Sequence, residues 1–353
     1  MPVCFERLKY LRHEQIQMCS GFYHVHIKNR GCFKKTRIAG EVYMLVFILK
    51  RFGFMALTML IVSLVLFIVM ELDISNVAIK VLGPYSSEEQ RQIWLEQNGY
   101  FQPLYVRYLS WLGNALTGDF GMSVLYKAPV NEYLWDRLWN TAILGFWVIV
   151  LMVPISLTLG ILAGMREGTK LDRTISVTSI ITTSIPDFAS AVLFAAIFVY
   201  FLDWLPGTSS MTSGFDWKQM VLPVLVLLVY DFGYVARMTR ASMAEVMTSH
   251  YIRTAILKGL PYRQVIMKHA LRNALIAPFT VIMLQFTWLL SGVIVVEYFF
   301  AYKGFGALLL DASLNQDIYL VEACTLVAVF VAVGTQMIAD IGYMFLNPRI
   351  RFR

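Results

Sequence analysis

Six stretches of the chain are dominated by apolar side chains and contain no lysine or arginine: residues 52–71, 141–164, 174–202, 220–236, 276–300 and 321–346. A helix needs roughly 20 such residues to cross about 30 Å of hydrocarbon. Each stretch therefore predicts one span, and together they predict an all-α membrane protein with six transmembrane helices. All 30 basic residues fall between the spans, as the cost of about 2.5–3.5 kcal/mol for a cation at a helix centre requires. The first span follows Lys50 and Arg51, and no small-residue cleavage site follows it. It reads as a retained anchor and not as a signal peptide.

The connecting segments alternate in charge. Those on the N-terminal side of the membrane hold 23 lysines and arginines, and those on the other side hold 7. By the positive-inside bias both termini are cytoplasmic and residues 72–140 are extracytoplasmic. The formal net charge of +7 is thereby a topology signal and not a nucleic-acid stripe interleaved with base-stacking aromatics. Composition agrees with a lipid environment: 58% hydrophobic and 15% charged residues, against about 25% charged in soluble domains, with a mean hydropathy of +0.61. Four cysteines, Cys4, Cys19, Cys32 and Cys324, are too few for a disulfide scaffold and read as reduced thiols.

The spans divide the chain. Residues 1–43 are basic, lack a helical apolar stripe, and read equally as a disordered tail or as a mis-assigned start upstream of Met44. A lead-in helix and the first span occupy 44–71, a helical insertion 72–140, the core of spans 2–6 141–346, and a cytoplasmic C-terminus 347–353. In the insertion, Ser86 and Glu89 have the spacing of a capping box, and Gly99 suits the end of that helix. Pro103 opens a second helix with Tyr105, Leu109, Leu112 and Leu116 on one apolar face. A third runs from Pro129 through Leu134 and Leu138 into span 2. The insertion reads as a folded cap or as a docking surface for an extracytoplasmic partner.

Residues 237–275 carry seven basic residues against Glu245 alone and read as helix, turn, helix. A helical run covers Ala241 to Lys258, Gly259 supplies a stop that tolerates positive φ, and Pro261 opens the next run through Val265, Ala270 and Leu271. Such a pair presses on a soluble partner or lies on anionic lipid as an interfacial helix.

The string Tyr251-Ile252-Arg253-Thr254-Ala255-Ile256-Leu257-Lys258-Gly259-Leu260, with Lys268-His269-Ala270-Leu271-Arg272-Asn273 and Pro278, resembles the coupling segment of ABC-transporter permeases, in the branch that imports oligopeptides, dipeptides and nickel. Gly118-Asp119-Phe120-Gly121, Ser184-Ile185-Pro186, Val296-Glu297, Lys303-Gly304-Phe305-Gly306 and Asn347-Pro348-Arg349 also fit, and the resemblance extends from about Met44 to Arg353. Arg253 and Thr254 stand where the general pattern has Glu and Ala, which argues against a sugar permease. The resemblance implies a type I ABC importer permease fold in a bacterial inner membrane. It also implies a second homologous permease as heterodimer partner, ABC ATPase subunits and an extracytoplasmic substrate-binding protein, with membrane lipid around the spans. It assigns ATPase coupling to Tyr251, Arg253, Ala255, Lys258, Gly259, His269 and Asn273, and leaves peptides, nickel, opines and sugars open as cargo.

No enzyme reading competes. The dipeptide Gly-Lys of a phosphate-cradling loop is absent from the sequence, so ATP hydrolysis falls to a partner. Leu290-Ser291-Gly292 lies inside a span and reads as packing. His24-x-His26 in the tail is a weak metal pattern, so no cofactor or metal is expected. Asp187, Asp231, Glu297, Glu322 and Asp340 lie in spans, where acids face a cavity or a partner. Asp187 and Asp231, with Glu297, are the candidates for the translocation path; Glu297 and Asp340 also fit structural roles, and Glu322 an interfacial one. The alternative class is an ion-gradient-driven secondary transporter or channel, which inverted repeats or paired broken helices would favour.

Overall fold

The computed structural model describes residues 30–71, 74–211 and 214–346. His24 and His26, the C-terminal segment 347–353, Cys4 and Cys19 lie outside the described residues. The chain divides after Leu49, and the larger unit, Lys50–Arg353, holds all six of the apolar stretches.

The elements are helices in order: α1 (Arg30–Glu71), α2 (Ile74–Leu82), α3 (Glu88–Gln97), α4 (Leu104–Thr117), α5 (Val130–Met165), α6 (Lys170–Ser184), α7 (Asp187–Ala195), α8 (Trp217–Met247), α9 (His250–Leu257), α10 (Tyr262–Gln264), α11 (Leu271–Ala274), α12 (Ile276–Gly292), α13 (Ile294–Phe299), α14 (Phe305–Leu314) and α15 (Ile318–Leu346). π-helical turns continue α7 through Phe201 and join α10 to α11. Among the described residues, four helices are long and apolar enough to cross a membrane, or six if each of two bent pairs is one span.

The bent pairs depart from the sequence reading. Span 3 was expected as one helix, but it breaks between α6 and α7 with a 98° bend. Pro186 disfavours the helical region for the residue before it, and Ile185 adopts extended angles, φ −89° and ψ 122°. Pro186 then serves as the N-cap of α7. Span 5 meets the helix before it at 51°. Span 4 runs on past Arg237 and Arg240 to Met247, so the run expected from Ala241 to Lys258 is divided: its first turns belong to α8 and the rest to α9.

Helix α8 is central and α1 peripheral: 61% of the apolar window of α8 is buried and 11% of that of α1. Close packing of α5 on α8 rests on small residues. A β-carbon at Gly160 would come 2.7 Å from the Ala236 carbonyl, and one at Gly164 2.7 Å from the Arg240 carbonyl. This is the small-xxx-small spacing by which membrane helices approach in the absence of a hydrophobic drive between them. Near the ends of these helices Arg240 grips Asp172 with Nε at 3.0 Å and Nη2 at 2.9 Å. Arg51 pairs with Asp340 at 2.7 Å, joining α1 to α15.

At the opposite end the insertion folds onto α1 and α15. Val77, Ala78, Leu95, Tyr100 and Ile318 form its core. The capping box sits one residue later than expected, with Ser87 and Gln90 exchanging hydrogen bonds, because the Ser86 hydroxyl is already used by Gly83 and Arg91. Glu322 is buried, with Trp111 beside it. Arg107 stacks 4.5 Å over Tyr100, whose phenol is raised above its usual range by burial.

Candidate functional site

The cytoplasmic-type segment of the sequence folds as a hairpin with a core of its own. Ser249 turns the chain after Met247, and Ile252, Ala255, Val265, Ile266, Ala270 and Ala274 pack together on Met243 of α8. Two hydrogen bonds fasten the hairpin: Ser242 to the Ala274 carbonyl at 2.8 Å, and the Asn273 amide to the Tyr251 hydroxyl at 2.9 Å. Gly259 takes φ +75° between the two arms, where its amide donates to the Ile256 carbonyl at 2.9 Å. The hairpin thus joins span 4 to span 5 through packed side chains, so a force applied to it reaches both.

All seven residues expected to couple lie on this hairpin. Tyr251, Arg253, Lys258, Gly259 and Asn273 are exposed and His269 is half-buried, whereas Ala255 faces the core. The sequence reading missed Ile256, Leu257 and Met267, which are 49%, 80% and 70% exposed. Their signal was apolar residues standing off the packed face of a basic segment. Such an apolar patch rimmed by Arg253 and Lys258 has the make-up of a protein interface.

The three candidate path acids are not brought together as one site. Asp187 is the first residue of α7 at the break in span 3, half-exposed, with its carboxylate accepting from the Phe188 amide at 2.8 Å. Asp231 is fully buried near the midpoint of α8, where the Gln285 amide of α12 donates to one oxygen at 2.5 Å. Glu297 is fully buried at the other end of the bundle. It accepts from the Thr141 hydroxyl and, at 2.9 Å, from the Ala307 amide in the first turn of α14. Thr141 in turn accepts from the Phe305 amide at 2.7 Å. Glu297 and Thr141 together therefore satisfy two of the free N–H groups that begin a helix. Among the described residues no group of three or more histidines, cysteines or acids is placed to hold a metal.

Residues 156–352 match the family described as binding-protein-dependent transport system inner membrane component. The chain is 33% identical over 298 residues to the oligopeptide transport system permease protein AppB of Bacillus subtilis (strain 168), covering 82% of this chain and 94% of that one. It is 34% identical over 314 residues to the glutathione transport system permease protein GsiC of Escherichia coli (strain K12), covering 88% and 100%. Among solved structures, a chain of the MetNI methionine ABC transporter in inward-facing conformations is similar, with a TM-score of 0.48 and 19% identity over 61% of this chain and 95% of that one.

Proposed function

The chain belongs to the binding-protein-dependent transport system inner membrane component family, and from that premise we propose that residues 249–274 pass the work of ATP hydrolysis to the spans of a peptide importer. As a member of this family it is a multi-pass permease of the inner membrane and not an enzyme. Separate ATPase subunits hydrolyse ATP, and a substrate-binding protein delivers the cargo. The ion-gradient alternative loses its support with this assignment. Of the two bent helix pairs, one lies inside span 3 and the other at the junction of the hairpin with span 5.

Peptides as cargo are supported by relatives named for oligopeptides and glutathione. The observation that carries the coupling role is the hairpin: a packed element between two spans that leaves Ile256, Leu257 and Met267 uncovered. Closure of two ATPases against this patch would tilt α8 and α12 together, opening the bundle toward the binding protein. A second, homologous permease would complete the cavity. Both termini are assigned to the cytoplasm on the 23 to 7 distribution of basic residues. Asp187, half-exposed at the break in span 3, would line the path, while Asp231 holds α8 to α12 and Glu297 clamps α14.

The test is reconstitution of the permease pair with its ATPases and binding protein in proteoliposomes. Leu257→Asp with Met267→Asp should abolish ATPase copurification while membrane insertion persists. Wild-type copurification by that variant would remove the hairpin from the coupling role.

A further inference from the structure

The segment 72–140 has the composition of an aqueous cap, yet one of its helices is built in the wrong sense for water. Of the apolar stripe of helix α4, Leu112 is half-buried, whereas Tyr105, Leu109 and Leu116 are 67%, 63% and 80% exposed. The side formed by Arg107, Tyr108, Trp111 and Ala115, about a third of a turn round from the stripe, is the one turned against the protein. A soluble amphipathic helix buries the apolar stripe and hydrates the polar side. Here most of the stripe faces out, while Ser110 and Asn114 lie exposed on the far side of the helix.

Two independent contacts fix the depth of α4. The Tyr108 hydroxyl bonds Ser63 of α1 at 2.8 Å and also reaches the Leu60 carbonyl at 3.5 Å. The apolar window of span 1 ends at Met70, so Ser63 and Leu60 lie roughly 10 and 15 Å along the helix inside that end, at about 1.5 Å per residue. On the other side Trp111 lies beside the buried Glu322, one turn into α15. Phe67 packs on both Tyr108 and Trp111, with ring centroids 5.5 Å apart in each case. Helix α4 therefore lies alongside the outer half of span 1, whose Ile61, Leu64, Val65 and Ile68 are exposed apolar side chains as well.

We propose that α4 is immersed in the leaflet on the side of residues 72–140, the outer leaflet in the topology above, with Tyr105, Leu109 and Leu116 against lipid acyl chains. A helix lying in the interface with its apolar face at the acyl boundary and its polar flank toward water is the arrangement this geometry satisfies. Residues 72–140 are then not a wholly aqueous cap, and the bilayer holds the insertion in place beside spans 1 and 6.

The test uses the whole transporter in nanodiscs. The native cysteines are replaced, Cys324 by alanine and the others by serine, and spin labels are placed by Leu109→Cys or Leu116→Cys. Val65→Cys on the exposed face of span 1 and Glu96→Cys on α3 are the lipid and water references. Power saturation should show both α4 labels more accessible to oxygen than to a polar nickel chelate, in the ratio found at Val65. Accessibility to the chelate as at Glu96 would place the stripe in water. Protection from both relaxers would mean that a protein partner covers it. Either result overturns the proposal, and the Val65 reference reports separately on the membrane reading itself.

Discussion

Gln285 of α12 donates its side-chain amide to Asp231 of α8 across 2.5 Å, tying the fourth and fifth spans together at mid-helix. The two residues are 54 positions apart, and they flank the hairpin in sequence as well as bridging its spans in space. Removing the donor strands a buried carboxylate, which costs more than the ~1–3 kcal/mol of an unpaired neutral group. Gln285→Leu should lower the melting temperature of the purified complex, whereas Asp231→Asn, whose carbonyl still accepts, should leave it near wild type.

Two of the acids within the spans separate by exposure. Asp187 is half-exposed at the break in span 3 and Asp231 is fully buried. Asp187→Asn should shift the ratio of transport rates for cationic and anionic peptides by roughly fivefold, the equivalent of about 1 kcal/mol of charge interaction. Asp231→Asn should not change that ratio. The reverse pattern in vesicle uptake would exchange the roles assigned to them.

Gly160 and Gly164 set the distance between α5 and α8. An added methyl at either meets backbone of α8 at 2.7 Å and cannot be accommodated by a rotamer change. Gly160→Ala should cost about 1–3 kcal/mol through forced separation of the helices. Gly113→Ala, which meets open space, is the control, and detergent melting curves compare the two.

The Glu297 clamp has a similar weak point at Gly304, where an added β-carbon would overlap the Glu297 carboxylate. Gly304→Ala should therefore expel the carboxylate from Ala307 and free the start of α14. Proteolysis between spans 5 and 6 is the readout. It should rise in Gly304→Ala and stay near wild type in Glu297→Gln, which keeps an accepting oxygen.

Gly259 meets no neighbour but holds φ +75°, so substitutions there act through backbone strain alone. Asn adopts that region more readily than Ala, and a β-branched residue least of all. Substrate-stimulated ATPase activity should fall in the order Gly, Asn, Ala, Val, with a cost of about 1–2 kcal/mol for Ala and insertion unchanged. An equal response from Asn and Val would remove the hairpin turn from the coupling argument.

What the sequence determined by itself was whatever depends on a run of neighbours. The stretches of the apolar spans, the charge alternation and the positive φ at Gly259 are local quantities, and the order of the short motifs was enough to place the family. Pro186 was visible too, but whether a proline kinks a span or splits it depends on what receives the second half. Here α7 packs against α8, and the helix turns by 98°. Tertiary structure alone decided which acids are exposed, because Asp231 and Glu297 find Gln285 and Thr141 on other helices. It also decided which way α4 faces. The spacing of Tyr105, Leu109 and Leu116 describes a stripe equally suited to a protein core or to lipid. Only the bond of Tyr108 to Ser63 and the packing of Phe67 on Tyr108 and Trp111 show that another side is the one held by the protein.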